Sequence, residues 1–257
     1  YSSMDMVMLS KMADDTAMGL YSVPYKVTFA LQFVAVAFSA AVYPAFCSYF
    51  AHGREKLAPT FVKSMRYLMM LSLPISFGLI AIGDKIIGPV FGSQYQLSLP
   101  ALYWLISSLT FVFLCFPIGA MLNACNRQSR NTLHLGLVAL ANIILNLIFI
   151  PLWSFVGAAA ASFLSYGLLF FLGLIVVGQI TVYDKKYLLL SFAKVLVSAA
   201  VMAAAVFFLK SYGHFVVAIP VGVLIYLMVL WLVKGLAISD FKEWRTMLAK
   251  KPAEQQP

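Results

Sequence analysis

Residues 133–177 read LHLGLVALANIILNLIFIPLWSFVGAAAASFLSYGLLFFLGLIVV, without one Asp, Glu, Lys or Arg. A helix crosses a bilayer core with about 20 apolar residues. Residues 133–150 and 155–177 are each of that order. Pro151-Leu-Trp-Ser154 between them predicts a tight turn. The stretch therefore reads as two antiparallel membrane spans.

The rest of the chain has the same character. It is 63% hydrophobic and 11% charged, with a mean hydropathy of +0.93. A soluble domain carries about 25% charged residues. The fold class is an all-α polytopic membrane protein, a helical bundle. Its 15 glycines and 11 prolines agree, because bundled membrane helices tolerate both. The chain starts at Tyr1 with no basic n-region or cleavage site, so no signal peptide is expected. Residues 1–12 read as the second half of a span.

Full spans follow at 19–46, 67–82 and 99–122, then the opening pair, then 188–209 and 215–233. That makes seven full transmembrane helices plus part of an eighth. Polar connections are predicted at 11–16, 52–56, 83–96, 123–131, 183–186 and 210–214. With the connections assigned alternately to two sides, 14 of the 18 Lys and Arg fall on one side. That asymmetry puts the basic side, and the C-terminus, in the cytoplasm. It also accounts for the net charge of +9 without nucleic acid as a partner. From Ser239, Phe241, Trp244, Met247 and Leu248 recur at helical spacing opposite basic residues. They read either as an amphipathic helix on the inner leaflet or as a solvated tail.

No enzyme signature is present. No His, Cys or Asp cluster has metal-ligand spacing, and no nucleophile or phosphate-loop motif appears. Cys47, Cys115 and Cys125 read as small buried or lipid-facing residues. His52, His134 and His214 read as interfacial. The chain is not expected to be an enzyme or to hold a metal.

Polar groups inside the spans are few. An ionisable group in hydrocarbon costs roughly 2.5–3.5 kcal/mol even on lenient insertion scales, so each needs a reason. Asp5 lies in the partial first span, and Lys26 and Gln32 lie in the next. Lys26 and Gln32 are expected to share a broad face. Asn142 and Asn146, four apart, share one side of their helix. The amides either join helices by hydrogen bonds or contact substrate. Lys26 either snorkels to the outer interface, pairs with Asp5, or meets an anionic ligand. Gly157-Ala-Ala-Ala-Ala161-Ser162 reads as a packing surface of small residues.

Several stretches together resemble a known family. They are Asp5-Met-Val-Met-Leu9 with Gly19-Leu-Tyr21 and Tyr25-Lys26; Tyr43-Pro44 before a basic loop; Ile86-Ile-Gly-Pro-Val-Phe91-Gly92-Ser-Gln-Tyr95; and Asn142-Ile-Ile-Leu-Asn146 through Pro151 to Val156-Gly157-Ala158-Ala159. In this order they resemble the second half of the polysaccharide-repeat (Wzx-type) flippases of the MOP superfamily. The resemblance implies two six-helix lobes plus two trailing helices. Residues 1–178 would be the C-terminal lobe with its first helix truncated. Residues 179–233 would be the trailing pair, and 234–257 a cytoplasmic tail.

The function implied is translocation of an undecaprenyl-diphosphate-linked oligosaccharide from the inner to the outer leaflet by alternating access. It would serve surface polysaccharide synthesis in a bacterial inner membrane. Lys26, Gln32, Asn142 and Asn146 would bind substrate. Asp5 would couple transport to H+ or Na+, or restrain Lys26, and no other cofactor is expected. Partners would be the lipid-linked oligosaccharide, membrane lipids, a missing N-terminal lobe of the same protein and glycan polymerase machinery. The alternatives are a multidrug or toxin exporter of the same superfamily, a membrane glycan polymerase or ligase, and a non-transporting scaffold.

Overall fold

The computed structural model describes residues 4–212 and 215–235. In chain order they form α1 (Met4–Met12), α2 (Asp15–His52), α3 (Leu57–Phe91), α4 (Leu99–Ala124), α5 (Gln128–Ile180), α6 (Lys185–Tyr212) and α7 (Phe215–Leu232). Short 3-10 turns at Arg54–Lys56 and Ser93–Ser98 join α2 to α3 and α3 to α4. Among the described residues there is no strand. Five of the helices are long and apolar enough to cross a membrane. The expected all-α membrane bundle is the observed fold.

Residue chemistry sets the helix ends. Asp14 caps α2: its side chain accepts from the Ala17 amide at 3.0 Å, satisfying one of the donors a helix start leaves open. Pro24 and Pro44 lie inside α2, each removing one backbone bond without ending the helix. One turn on, the Thr28 hydroxyl donates back to the Pro24 carbonyl at 2.9 Å.

The connection expected at 83–96 is largely helix instead. α3 continues through Gly83, Asp84, Lys85, Gly88 and Pro89 and stops only at Gly92. Gly92 adopts a φ of 107°, a conformation that costs glycine little and other residues much. Two interactions hold this polar end in place. Lys210 pairs with Asp84 at 2.9 Å, and the Gln96 side chain donates to the Asp84 carbonyl at 3.1 Å. Local propensity of glycine and proline favours a turn, and these tertiary partners hold a helix there instead.

α5 is the element that shapes the bundle. Its 53 residues would make a straight rod of about 80 Å, far longer than a core of about 30 Å. The turn expected at 151–154 is a one-residue break, with Ser154 at φ 50° and ψ −131°. Just beyond it, a Cβ on Gly157 would sit 2.1 Å from the Phe149 carbonyl oxygen. Only glycine allows the backbone this approach.

α4 packs along α2, α3 and α5, α6 along α3, and α7 against α6. Phe61, Met65 and Leu68 from α3 meet Leu109, Phe113 and Met121 from α4 in the main apolar core. α7 is tied to α3 twice. Tyr226 donates to the Met70 carbonyl at 2.9 Å, and Arg66 donates to the Gly235 carbonyl at 2.6 Å, just past the end of α7. The proposed tail helix from Ser239 and the histidine at 214 lie outside the described residues. Cys47 and Cys115 are half-buried, Cys125 is buried, and all three are free.

Candidate functional site

Asp5 is buried, at 5% exposure, on the helix that packs against α5. Three side chains from three helical segments converge on its carboxylate. Asn146 donates to Oδ1 at 2.7 Å, and Tyr21 of α2 donates to Oδ2 at 3.2 Å. Ser162, from the second arm of α5, donates a short bond to Oδ2. A second tier supports the first. Asn146 also donates to Asn142 Oδ1 at 3.0 Å, Asn142 Nδ2 donates to Ser165 Oγ at 3.2 Å, and Ser165 donates to the Ala161 backbone carbonyl at 2.7 Å.

Local sequence explains the convergence. Asn142 and Asn146 are one helical turn apart on the first arm of α5, and Ser162 and Ser165 are near one turn apart on the second. The kink at Ser154 folds the arms together. The run from Gly157 to Ala161 is buried throughout, and its small side chains let α1 approach. Around the polar cluster, Leu9, Tyr21, Ala101, Leu105, Ile150, Ala158 and Ala159 form a closed apolar shell.

Two features of the cluster are unusual. A carboxylate is buried with neutral donors only, and among the described residues it has no ion pair. A buried ion without a countercharge carries a desolvation penalty of several kcal/mol. The second is Asn146 Oδ1, which is buried and accepts no hydrogen bond. Leaving such an acceptor unsatisfied costs about 1–3 kcal/mol.

The other expected residues lie elsewhere. Lys26 is exposed on α2, on a face it shares with exposed Phe29, Phe33 and Val34. Among the described residues it pairs with nothing, Asp5 included. Gln32 does not share its face. Six residues of α-helix turn through about 600°, which sets the two side chains about 120° apart. Gln32 instead lines a cavity of about 450 Å³ between α2, α4 and α5, with Ser39, Tyr43, Asn123, His134 and Tyr166. Ser39 Oγ on its wall is buried with no partner. Asn142 and Asn146, at 2% and 0% exposure, belong to the Asp5 cluster.

Tyr21 enters the sequence reading only within the resemblance and Ser162 only as packing, Ser165 not at all, and none of the three is an expected site residue. The i, i+3 spacing of the two serines inside an apolar helix was the available signal. It was masked by the alanine run that reads as packing.

Comparisons with known proteins agree with this architecture. Residues 1–100 match the family model described as polysaccharide biosynthesis protein. The chain is 26% identical over 167 residues to the probable low-salt glycan biosynthesis flippase Agl15 of Haloferax volcanii, covering 65% of this chain and 35% of that protein. Its fold is similar to that of the lipid II flippase MurJ in an inward closed conformation, with a TM-score of 0.72 and 19% identity over 89% of this chain and 50% of that one. It is also similar to an outward-facing multidrug resistance MATE family transporter of the MOP superfamily, with a TM-score of 0.61 and 16% identity over 79% of this chain and 48% of that one. The chain thus spans about a third of the curated relative and half of each solved transporter. These similar proteins are flippases and a transporter, not enzymes. In sequence the chain is similar to a probable glycan biosynthesis flippase, and its all-α membrane bundle is similar in fold to half of each of these two solved proteins.

Proposed function

We propose that this chain is the C-terminal half of a two-lobed flippase carrying a lipid-linked oligosaccharide from the inner to the outer leaflet. The Asp5 cluster serves as its coupling-cation site. The observation that carries the reading is a buried carboxylate surrounded by neutral oxygen and amide groups, beside an unpartnered amide oxygen. A small hard cation takes oxygen ligands of this type. Asp5, Asn146 Oδ1 and the hydroxyls of Ser162 and Tyr21 supply them. Either Na+ or a proton would offset the carboxylate charge. Binding would also draw α1, α2 and both arms of α5 together, which is how occupancy would bias the lobe toward one state.

The relatives support the cargo. One is named for glycan biosynthesis and one for lipid II. An anionic carrier lipid crossing hydrocarbon needs cationic and polar groups along its path. Lys26, unpaired on the open face of α2, suits that role, and Gln32 in its cavity suits sugar hydroxyls. Asn142 and Asn146 serve the cation site rather than the sugar. Seven full spans and a partial eighth, a cytoplasmic C-terminus and an inner-membrane location complete the reading.

The test is made on the intact gene in its own cell. Deletion should accumulate diphosphate-linked oligosaccharide and remove surface glycan, read by mass spectrometry. Wild type should restore export, and Lys26→Ala should not. Asp5→Asn should abolish export and any dependence on external Na+ or on the proton gradient. Normal glycan in the deletion strain would refute the flippase reading, and altered drug sensitivity there would point to the exporter.

A further inference from the structure

The cavity beside Gln32 has a chemistry of its own. Its volume of about 450 Å³ falls among small-molecule sites, which span about 300–1,000 Å³. Along α2 it runs from Gln32 to Tyr43, about 16 Å at 1.5 Å per residue. No Asp, Glu, Lys or Arg lines it. Its walls hold an amide, hydroxyls and aromatic rings: Gln32 and Ser39 from α2, Phe116 from α4 and Tyr166 from α5. Ser39 is 7% exposed, and its hydroxyl is buried with no hydrogen-bond partner.

One end of the cavity lies at the connection between α4 and α5. Asn131 of α5 donates to Asn123 Oδ1 of α4 at 3.2 Å, and both border the cavity. In the orientation given under the proposed function, this connection is on the basic, cytoplasmic side. The far end reaches α5 at Tyr166. That residue directly follows Ser165, which meets Asn142 of the Asp5 cluster.

The lining sorts the classes of occupant. A charged group would enter without a countercharge, and its desolvation would go unrepaid. A hydrocarbon chain would leave the Ser39 hydroxyl unsatisfied, and an unmade buried hydrogen bond is expensive. A sugar ring meets both demands. Its hydroxyls donate and accept around the edge, as Ser and Gln side chains require, and its C–H faces pack on aromatic rings.

We propose that this cavity binds one uncharged hexose unit of the lipid-linked cargo on the cytoplasmic side. Ser39 and Gln32 bond its hydroxyls, and Phe116 and Tyr166 pack on its ring. The wall has no Lys or Arg to pair with a carboxylate, so the site discriminates against acidic sugars. The proposal deepens the flippase reading and rests on it for the cargo. A filled cavity and an occupied Asp5 cluster bear on the same arm of α5.

The full-length protein carrying Ala40→Cys, an exposed position on the cavity wall, tests this in a detergent without a sugar headgroup. The assay is run at pH 8, above the range in which imidazoles ordinarily take up a proton, because His134 also lines the cavity. Reaction of position 40 with N-ethylmaleimide is followed by peptide mass spectrometry, which separates it from the native cysteines. The probes are bare undecaprenyl diphosphate and the same carrier bearing glucose, N-acetylglucosamine or glucuronic acid. Either uncharged sugar should slow the reaction about tenfold or more near saturation, and glucuronic acid should protect no better than the bare carrier. Ser39→Ala should raise the concentration needed by about fivefold, the worth of one neutral hydrogen bond. Gln32→Leu, at a half-buried position, should act in the same direction.

Equal protection by all four probes would overturn the sugar as occupant, because the lipid alone would then fill the cavity. Protection by glucuronic acid as strong as by glucose would overturn the selectivity. Protection unchanged in both variants, or absent with every probe, would overturn the site. The deletion strain separates this idea from the reading it rests on. Normal surface glycan there, with protection by the uncharged sugars, would refute the flippase and keep the sugar site. Lost glycan there, with no protection, would refute the sugar site and keep the flippase.

Discussion

At the scale of residues, Asp5 is the group whose environment has consequences. Its carboxylate accepts from Asn146 and Ser162, which come from the two arms of α5. Asn146→Ala removes the donor to Asp5 and the bond to Asn142 and leaves a buried anion less solvated. We expect a loss of about 1–3 kcal/mol, seen as a lower Tm in detergent. Added Na+ should raise the Tm of wild type and not of Asp5→Asn if Na+ is the coupling ion; a Tm insensitive to Na+ and sensitive to pH would assign the proton. Outside the spans, burial pushes the Cys125 thiol up to about 11, helped by nearby Cys47 and opposed by Arg54 and Arg127. The raised value keeps the thiol neutral at pH 8, so maleimide should label Cys125 slowly until the protein is unfolded. The sign follows: any stability tied to this neutral thiol is present below pH 9 and falls as pH rises toward 11.

At the scale of elements, the α5 hairpin is the sensitive part. Gly157→Ala would drive a methyl into the Phe149 carbonyl at 2.1 Å. Backbone cannot yield as a side-chain tip can, so the two arms of α5 must part. Asn146 and Ser162 sit on opposite arms, and the Asp5 cluster should come apart with them. We expect Gly157→Ala to lose export even where the protein still reaches the membrane. Ser154→Gly should be neutral or mildly stabilising, because φ 50° suits glycine. Ser154→Val should cost about 1–3 kcal/mol for the same reason. A Tm series over these variants checks the order. The pair Lys210–Asp84 joins α6 to the C-terminal part of α3. Asp84 is about a third exposed, so breaking the pair should cost no more than about 1 kcal/mol.

At the scale of the whole molecule, the open face of α2 and the closed Asp5 cluster define two environments. Exposed Lys26, Phe29 and Phe33 line the first. Buried Asp5, Asn142 and Asn146 occupy the second. On the proposed two-lobed reading, the open face would meet the other lobe or the cargo, and the buried cluster would adjust the lobe's internal packing. Export should therefore respond differently at the two places. Lys26→Ala should weaken use of the anionic cargo and leave cation-dependent stabilisation intact. Asp5→Asn should do the reverse to stabilisation while also stopping export. Single cysteines at Arg54 and Lys186 should react only from the cytoplasm, and one at Gln94 only from outside. Any other pattern would invert the assigned topology.

Composition alone determined that the chain spans a membrane as helices, because the bilayer selects for apolar length locally, residue by residue. It also marked Asp5, Asn142 and Asn146 as groups that need a reason to be buried. It misread 83–96, where glycine and proline suggested a turn and Lys210 and Gln96 hold a helix end in place. Tertiary structure alone decided which polar groups meet. Asp5 reaches Asn146 across 141 positions and Ser162 across 157, and no local pattern encodes a contact of that range. The kink at Ser154 and the bare backbone at Gly157 bring them together. Lys26 and Gln32 parted for a simpler reason: the pitch of one helix set their angle, and the packing of α4 and α5 decided which of them was covered.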